Sequence, residues 1–157
     1  MNEVSLDVSE WDKFNRDMLE LAEETMPKET KKFMRREGGR LATATRKIAR
    51  AEVHKKTGNY FKSIRGSKAW KNNRGGYGVY ALASRKNNLG NHAHLLEYGH
   101  KQNAGQYVPA IKARLKKSEV EGKRIFEKGR KSFERKFMAD AAEYIDNLLE
   151  SNFTSGR

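Results

Sequence analysis

The fold class is decided by residues 67–84, which read SKAWKNNRGGYGVYALAS. The central residues Asn72-Asn73-Arg74-Gly75-Gly76 have the composition of a tight turn. Residues 67–71 and 77–84 on either side are short, and the second segment alternates in part between two faces. This pattern predicts a β-hairpin.

Two helices are predicted before the hairpin, over residues 9–25 and 28–53, from apolar side chains at helical spacing. Pro27 is expected to end the first helix or to lie in the first turn of the second. Because Gly38-Gly39 interrupts the second pattern, that helix is expected to kink there or to begin after it. The expected apolar faces are Trp11, Phe14, Met18 and Leu21 in the first helix, and Met34, Leu41, Ala44, Ile48 and Ala51 in the second.

After the hairpin, a short helix is predicted over residues 92–98, ended by Gly99, and a long helix over residues 123–150. The long helix has an apolar stripe of Phe126, Phe133, Phe137, Ala141, Tyr144 and Leu148. Residues 100–121 between them are rich in Gly, Gln, Asn and Lys and predict a long exposed loop.

Long helices beside a hairpin predict an α+β fold, in which the helices pack on a small antiparallel β-sheet. We expect a single domain over residues 1–157, with flexible ends at residues 1–8 and 151–157. The aromatic stripe of the last helix is expected to pack under the hairpin sheet and against the second helix.

The composition excludes several protein classes and favours an assembly subunit. Apolar residues make up 36% and charged residues 34%, against about 45–50% and about 25% in ordinary globular chains. The sequence has no apolar run long enough for a transmembrane helix, and its acidic beginning lacks an apolar signal core. The absence of Cys excludes disulfides and thiolate metal sites.

The net charge of +13 is unevenly distributed. Residues 1–29 carry three Lys/Arg and nine Asp/Glu, whereas residues 30–104 carry eighteen and three. Such polarity can attract a polyanion, or it can align neighbouring copies with an acidic face on a basic face. Composition leaves both alternatives open.

Three segments, taken in order, resemble one known family. Thr57-Gly58 followed by Ser63-Ile64 is similar to its T-G-x-L-x-x-S-I signature, and residues 93–100 (AHLLEYGH) resemble its apolar turn ending in Glu-aromatic-Gly. Residues 108–128 resemble the approach to its closing helix. The family is the gene-product-ten-like tail-component family of HK-type long-tailed phages. The positions that carry the resemblance are Thr57, Gly58, Ser63, Ile64, His94, Glu97, Tyr98, Gly99 and Gly122.

The resemblance covers about residues 40–150 and implies a neck or tail-completion protein. Members of the family join phage heads to tails between the connector and the tail tube, and related neck proteins are α+β and form rings, commonly hexamers. The resemblance thus implies a virion protein assembled in the host cytoplasm, with further copies of itself, connector or head-completion proteins, and tail tube or terminator proteins as partners. Two positions depart from the family pattern: Val120-Glu121-Gly122 replaces an aromatic-Pro-Phe pattern, and Gly129 stands where members often have Ala.

One cluster, formed by His92, His94, Glu97 and His100, has the residue types of metal ligands. On a helix, His94 and Glu97 share a face, so a zinc-type or nickel-type hydrolase site is one interpretation. The interpretation we favour makes Glu97 a structural carboxylate that accepts hydrogen bonds from backbone N–H groups or an Arg, just before the turn at Gly99.

Nothing else in the sequence favours catalysis. It lacks Cys and a G-x-S-x-G motif, and the Gly-rich run at residues 75–78 lacks the Lys-Ser/Thr of a phosphate-binding loop. We therefore expect no enzyme activity, no cofactor and no metal.

The basic residues of the second helix and of the 100–121 segment allow two interpretations. They contact acidic faces of neighbouring subunits, or they face passing double-stranded DNA through its phosphates. Because Tyr107 is the single aromatic residue within 100–121, single-strand stacking is not expected. The residues are Arg35, Arg36, Arg40, Arg46, Lys47, Arg50, Lys112, Arg114, Lys116, Lys117, Lys123 and Arg124.

Overall fold

The computed structural model describes residues 9–54 and 57–153, so the expected flexibility of residues 1–8 and 154–157 lies outside the described chain. Residues 151–153, also expected to be flexible, continue the last helix instead. The helices are α1 (Ser9–Glu20), α2 (Met26–Glu52), α3 (Asn59–Ser63), α4 (Ala93–Tyr98) and α5 (Ile125–Phe153). The strands are β1 (Ile64–Gly66), β2 (Trp70–Lys71), β3 (Tyr77–Gly78), β4 (Ala81–Ala83), β5 (Gly99–Lys101), β6 (Tyr107–Val108), β7 (Ala113–Arg114) and β8 (Glu119–Glu121). The fold is α+β, as predicted.

α1 and α2 are joined without a break, so Pro27 does not end the first helix; the other predicted alternative, that Pro27 lies in the first turn of the second helix, is confirmed. A π-helical turn, Leu21–Thr25, connects them, and the Met26 N–H donates to the Leu21 carbonyl five residues earlier. Proline lacks an N–H and crowds the carbonyl four residues before it. The wider π turn accommodates Pro27 in the first turn of α2 while the chain stays helical.

α5 packs antiparallel along α2 through its aromatic stripe, which confirms that part of the prediction. Phe33 of α2 stacks on Tyr144 with ring centroids 4.6 Å apart and contacts Phe137 at 6.0 Å. The hydroxyls of Thr30 and Tyr144 are 3.0 Å apart. Nearer the start of α5, Gly129 lies against Thr45, so an Ala in place of Gly129 would bring its Cβ within 3.0 Å of the Thr45 Cα.

The buried face of α2 differs from the predicted one. Ala51 is exposed and the other four predicted residues are half-buried. The buried positions are Phe33, Glu37, Gly38, Ala42, Thr45 and Ala49. The predicted face was wrong because α2 packs against both α5 and the hairpin. It therefore buries small and polar residues, which the spacing of apolar residues does not identify.

The hairpin is present but begins earlier and is bent. β1 pairs with β4 from Ile64↔Ala83 to Gly66↔Ala81, and β2 pairs with β3 through Trp70↔Gly78. Ser67 N donates to the Tyr80 carbonyl at 2.8 Å and links the two pairs. The turn lies as predicted, since the Asn72 side chain accepts from Gly76 N at 2.9 Å.

The hairpin crosses α2 at Gly38. The helix continues through Gly38-Gly39, so the prediction that it kinks there or begins after it was wrong. A Cβ on Gly66 would lie 2.5 Å from the Gly38 carbonyl oxygen, and one on Gly38 would lie 3.3 Å from the Val79 Cβ. Gly66 is therefore needed for close backbone packing, whereas a side chain at position 38 would make a tight contact with the Val79 side chain. The hairpin packs on α2, and the aromatic stripe of α5 lies beside the hairpin. The expectation that the stripe packs under the sheet was therefore wrong.

Residues 99–121 form a β-arm and not the predicted loop. β5 pairs with β8 and β6 pairs with β7, both antiparallel, with a 3-10 turn at Pro109–Ile111 between β6 and β7. Most of its side chains are exposed, as predicted. Because both of its faces are polar, its strands show no apolar alternation by which the sequence could reveal them.

The core is small and lies where α2, α3, β1 and α5 meet. Its buried apolar members are Ala42, Ala49, Phe61, Ile64 and Ile125, with Ile48, Val53, Tyr60 and Phe126 packed around them. This meeting point fixes the motifs described next.

Candidate functional site

The first motif forms the entry to the hairpin. Gly58 adopts a left-handed conformation, with φ of 76°, directly before α3. Ser63 is buried, and its hydroxyl donates to the Tyr60 carbonyl at 2.6 Å. Ile64, fully buried, begins β1 in the core. Thr57 lies outside the core, and its hydroxyl accepts weakly from Asn59 N at 3.3 Å. Except for Thr57, these residues therefore build the fold and leave no side chain for a partner.

Glu97 stabilises the start of α5, which confirms that it is a structural carboxylate. It is 8% exposed, and its Oε2 accepts from the backbone N–H of Phe126 at 3.0 Å. Its own carbonyl accepts from Arg124 N at 3.2 Å. A carboxylate at a helix N-terminus satisfies a free N–H and also interacts favourably with the helix dipole.

Gly99 and Gly122 lie against each other where the β-arm leaves the domain. Gly99 has a φ of 78°, and a Cβ on it would lie 2.7 Å from Gly122 N. A Cβ on Gly122 would in turn lie 2.8 Å from Gly99 N. This contact requires glycine on both strands. Tyr98, by contrast, is 71% exposed and packs under the guanidinium of Arg124, 5.6 Å from its ring centroid.

Tyr60 connects the first motif to the second. Its hydroxyl is buried and has no hydrogen-bond partner among the described residues. Burial, and in second place the negative charge of Glu97, raise the pKa of Tyr60 above its ordinary value. Both effects disfavour the phenolate form of Tyr60.

The histidines do not converge with Glu97 on a common point. His92 and His94 are exposed, whereas Glu97 is buried and faces the start of α5. His100 lies on β5, and its Nδ1 is buried without a partner in the described chain. Within residues 9–54 and 57–153, no three His, Asp or Glu side chains are arranged to hold a metal ion.

Half of the basic residues singled out in the sequence already have intramolecular partners. On α2, Arg36 and Arg40 both donate to the buried Oε1 of Glu37, at 2.9 and 3.0 Å. Arg46 donates to the carbonyl of Ile64 at 3.0 Å. These three arginines hold the fold together, which leaves them less available to a partner.

At the β-arm and its base, too, some basic side chains have intramolecular partners and others do not. Lys123 Nζ donates to the Glu52 carbonyl at 2.6 Å, and Arg114 donates to the Gly105 carbonyl at 2.8 Å. Together with Arg124 on Tyr98, these side chains are held in place. The other six basic residues are exposed, and their side chains have no ion pair or hydrogen bond in the described chain: Arg35, Lys47, Arg50, Lys112, Lys116 and Lys117.

One part of this basic surface is concave. Arg46 and Arg50 line an open cavity of about 1080 Å³ together with His54 and Lys62. The structure therefore brings basic residues from α2 and α3 together at this point. The basic residues of the β-arm lie on a separate element.

The N-terminal helix exposes most of the apolar face that its helical spacing predicted. Every side chain from residue 11 to 20 is exposed. Trp11 is 60%, Met18 42% and Leu19 59% exposed, and Trp11 contacts Phe14 edge-to-face at 6.0 Å. Leu21 is the one residue of the predicted face that is buried. Helical periodicity identified the face but could not show whether the same chain covers it.

A second apolar surface is the groove between the hairpin and α5, which we call the hairpin–α5 groove. Two open cavities of about 470 and 430 Å³ adjoin there and share Leu41, Val79 and Arg130. Phe133 lines one cavity and Phe126 the other. No local sequence pattern predicts this groove, since it depends on how far the hairpin lies from α5.

No helix in the described part of the chain is both long and apolar enough to span a bilayer. Comparison with protein-family models, curated proteins and solved structures finds no match to this chain.

Proposed function

We propose that this chain is a non-enzymatic structural subunit of a homo-oligomeric ring at the head–tail junction of a tailed phage, where it joins the connector to the tail tube. The position in the virion rests on the resemblance of the three motifs. In the structure, most of these residues are buried or act through the backbone, at the entry to the hairpin and at the base of the β-arm. The assembly into a ring rests on surface features of the structure.

The observation that carries self-assembly is the exposed apolar face of α1. Trp11, Met18 and Leu19 lie on a helix whose side chains are exposed over residues 11–20. Burying apolar surface contributes about 25 cal/mol per Å², and clustered exposed apolar side chains mark contact sites in soluble proteins. A helix of this kind is stabilised when a neighbouring molecule covers it.

The β-arm is proposed to reach the adjacent ring or the tube. It leaves the domain at Gly99 and Gly122 and exposes most of its side chains. Gln102 N donates to the Ser118 carbonyl at 2.9 Å, so the two strands are close together at these residues. A variant in which Asn-Gly replaces residues 103–117 therefore shortens the arm and keeps β5 paired with β8. The shortened protein should fold normally but fail to join heads to tails. Normal infectious particles from it would contradict this assignment of the arm.

Electron microscopy and sedimentation of the purified chain test the ring itself. We expect closed rings at low salt that dissociate as the salt concentration rises. The sequence around α1 is acidic and the rest of the chain is net basic, so neighbouring copies attract each other, and salt screens exposed charges over about 8 Å at physiological ionic strength. A single monomeric species at every protein and salt concentration would contradict the proposal.

A second candidate function, non-specific binding of double-stranded DNA, is favoured by the six exposed basic residues that have no ion pair. If those six side chains contact phosphates, the logarithm of the DNA association constant plotted against the logarithm of the salt concentration should have a slope of about −5. Contact by all twelve residues would give a slope of about −11. Gel-shift titration of the purified chain on duplexes of two unrelated sequences measures the slope. No binding at low salt excludes this function.

A further inference from the structure

We propose that the hairpin–α5 groove binds helix α1 of a second copy of this chain. The inference rests on the proposed self-assembly and adds where the contact lies. It makes the contact head-to-tail, because the donated helix and the receiving groove are different surfaces of one molecule.

The helix and the groove agree in length. α1 has 12 residues, which at 1.5 Å per residue is about 18 Å. Along α5, the groove extends from Phe126 to Met138, which by the same rise is about 18 Å. The whole of α1 therefore fits along the groove.

The apolar surfaces also agree. At about 100° per residue, Trp11, Phe14 and Met18 lie on one face of α1 with Leu19 at its margin. The groove offers Leu41 and Val79 from α2 and the hairpin, and aromatic side chains from α5. Large side chains on the helix thus meet an apolar floor.

The charges are complementary. Asp12 and Asp17 border the two sides of the apolar face of α1 by the same helical geometry. The two elements that border the groove are net basic. Residues 64–84 of the hairpin carry four Lys/Arg and no acidic residue, although none of the four lines the groove itself. Residues 124–138 carry six Lys/Arg and two Glu, and both Glu side chains lie within 4 Å of a neighbouring cation. The lining carries both signs, Arg124 and Arg130 beside Glu37, Glu97, Glu127 and Glu134. The acidic helix is therefore attracted by the net charge of the bordering elements and not by the lining.

The groove cannot receive α1 of its own chain. α1 continues into α2 through helical residues on both sides of the π turn, and α2 itself supplies Leu41 to the groove. Since α1 lies along the N-terminal extension of that same helix, it points away from its own groove. Repetition of such a head-to-tail contact closes a ring when the rotation between copies allows it.

A complementation experiment tests the docking. The helix variant carries Trp11→Glu and Met18→Glu, and the groove variant carries Tyr80→Glu and Met138→Glu. All four side chains are at least 42% exposed, so both variants should fold. Each variant alone should sediment as a monomer. An equimolar mixture should form a dimer and nothing larger, because one intact helix and one intact groove remain.

The control is Ile145→Glu, which alters an exposed apolar residue of α5 outside the groove; it should assemble as the unaltered chain does. If the unaltered chain forms rings and either double variant does too, the docking site is wrong and the proposed ring stands. If the mixture stays monomeric, or if it forms species larger than a dimer, head-to-tail docking is overturned. If the unaltered chain never self-associates, the proposed function itself fails.

Discussion

Replacing Glu97 separates a structural carboxylate from a reactive one. In Glu97→Ala, the Phe126 N–H at the start of α5 loses its acceptor, which now lies at 3.0 Å. In Glu97→Gln, a neutral acceptor of the same shape remains. The two variants therefore divide the effect into a hydrogen bond and a charge.

The expected magnitudes follow from the geometry. Loss of a side-chain cap at a helix N-terminus costs about 0.5–2 kcal/mol, and a buried hydrogen bond to a charged group contributes about 1.5–3 kcal/mol. We therefore expect Glu97→Ala to lower the free energy of unfolding by about 2–3 kcal/mol. Glu97→Gln should lose mainly the interaction with the helix dipole, about 0.3–1 kcal/mol.

Urea unfolding followed by circular dichroism measures both values. In a chain of this size, 2–3 kcal/mol corresponds to a decrease in Tm of about 4–12 °C. If Glu97→Ala unfolds within 0.5 kcal/mol of the unaltered chain, roughly the size of an ordinary surface effect, then Glu97 does not hold α5. Equal losses in the two variants would show that the charge matters and the acceptor does not.

Further predictions concern the tyrosine and the glycines near this junction. Burial and then the charge of Glu97 raise the pKa of Tyr60, so this tyrosine loses its proton in the unfolded chain first as the pH rises. Its contribution to the free energy of unfolding is complete below about pH 10. Above that pH, the free energy of unfolding falls by up to about 1.4 kcal/mol per pH unit. Tyr60→Phe should reduce that slope, measured as the urea midpoint between pH 9 and 12. Gly66→Ala should cost more than about 2 kcal/mol, because its Cβ would lie 2.5 Å from the Gly38 carbonyl. Gly39→Ala is the matched control: no atom lies within 4 Å of its Cβ, so thermal unfolding should show a gain of about 0.5–1 kcal/mol.

Elements with strong local signals could be predicted from the sequence. The aromatic stripe of α5, the turn at Asn72 and the left-handed Gly99 each depend on residues within one or two turns of chain. The structural role of Glu97 was also accessible, since a carboxylate inside a short apolar segment needs a nearby donor.

What could not be predicted depends on contacts between distant residues. Gly38 was taken for a helix interruption, although it lies against the hairpin: a Cβ on Gly38 would lie 3.3 Å from the Cβ of Val79, 41 positions later. The pairing of the β-arm joins residues 99–101 with 119–121 across polar strands that carry no periodic signal. The groove likewise arises from the spacing of separately folded elements, and no local pattern encodes it.

Most motif residues lie outside the proposed assembly surfaces, and the exceptions are Glu97 and Tyr98, which line one cavity of the hairpin–α5 groove. Ser63, Ile64 and Glu97 are buried, and Gly99 and Gly122 act through the backbone, so the resemblance they carry concerns the folding of the hairpin entry and of the α4–α5 junction. Partner choice then falls to α1, the groove and the arm, where exposed side chains can change without disturbing the core. It follows that substitutions at the motif should lower stability and leave the remaining folded protein able to assemble, whereas substitutions on α1 should do the reverse. A stability loss from Trp11→Glu equal to that from Glu97→Ala would show that this division is wrong.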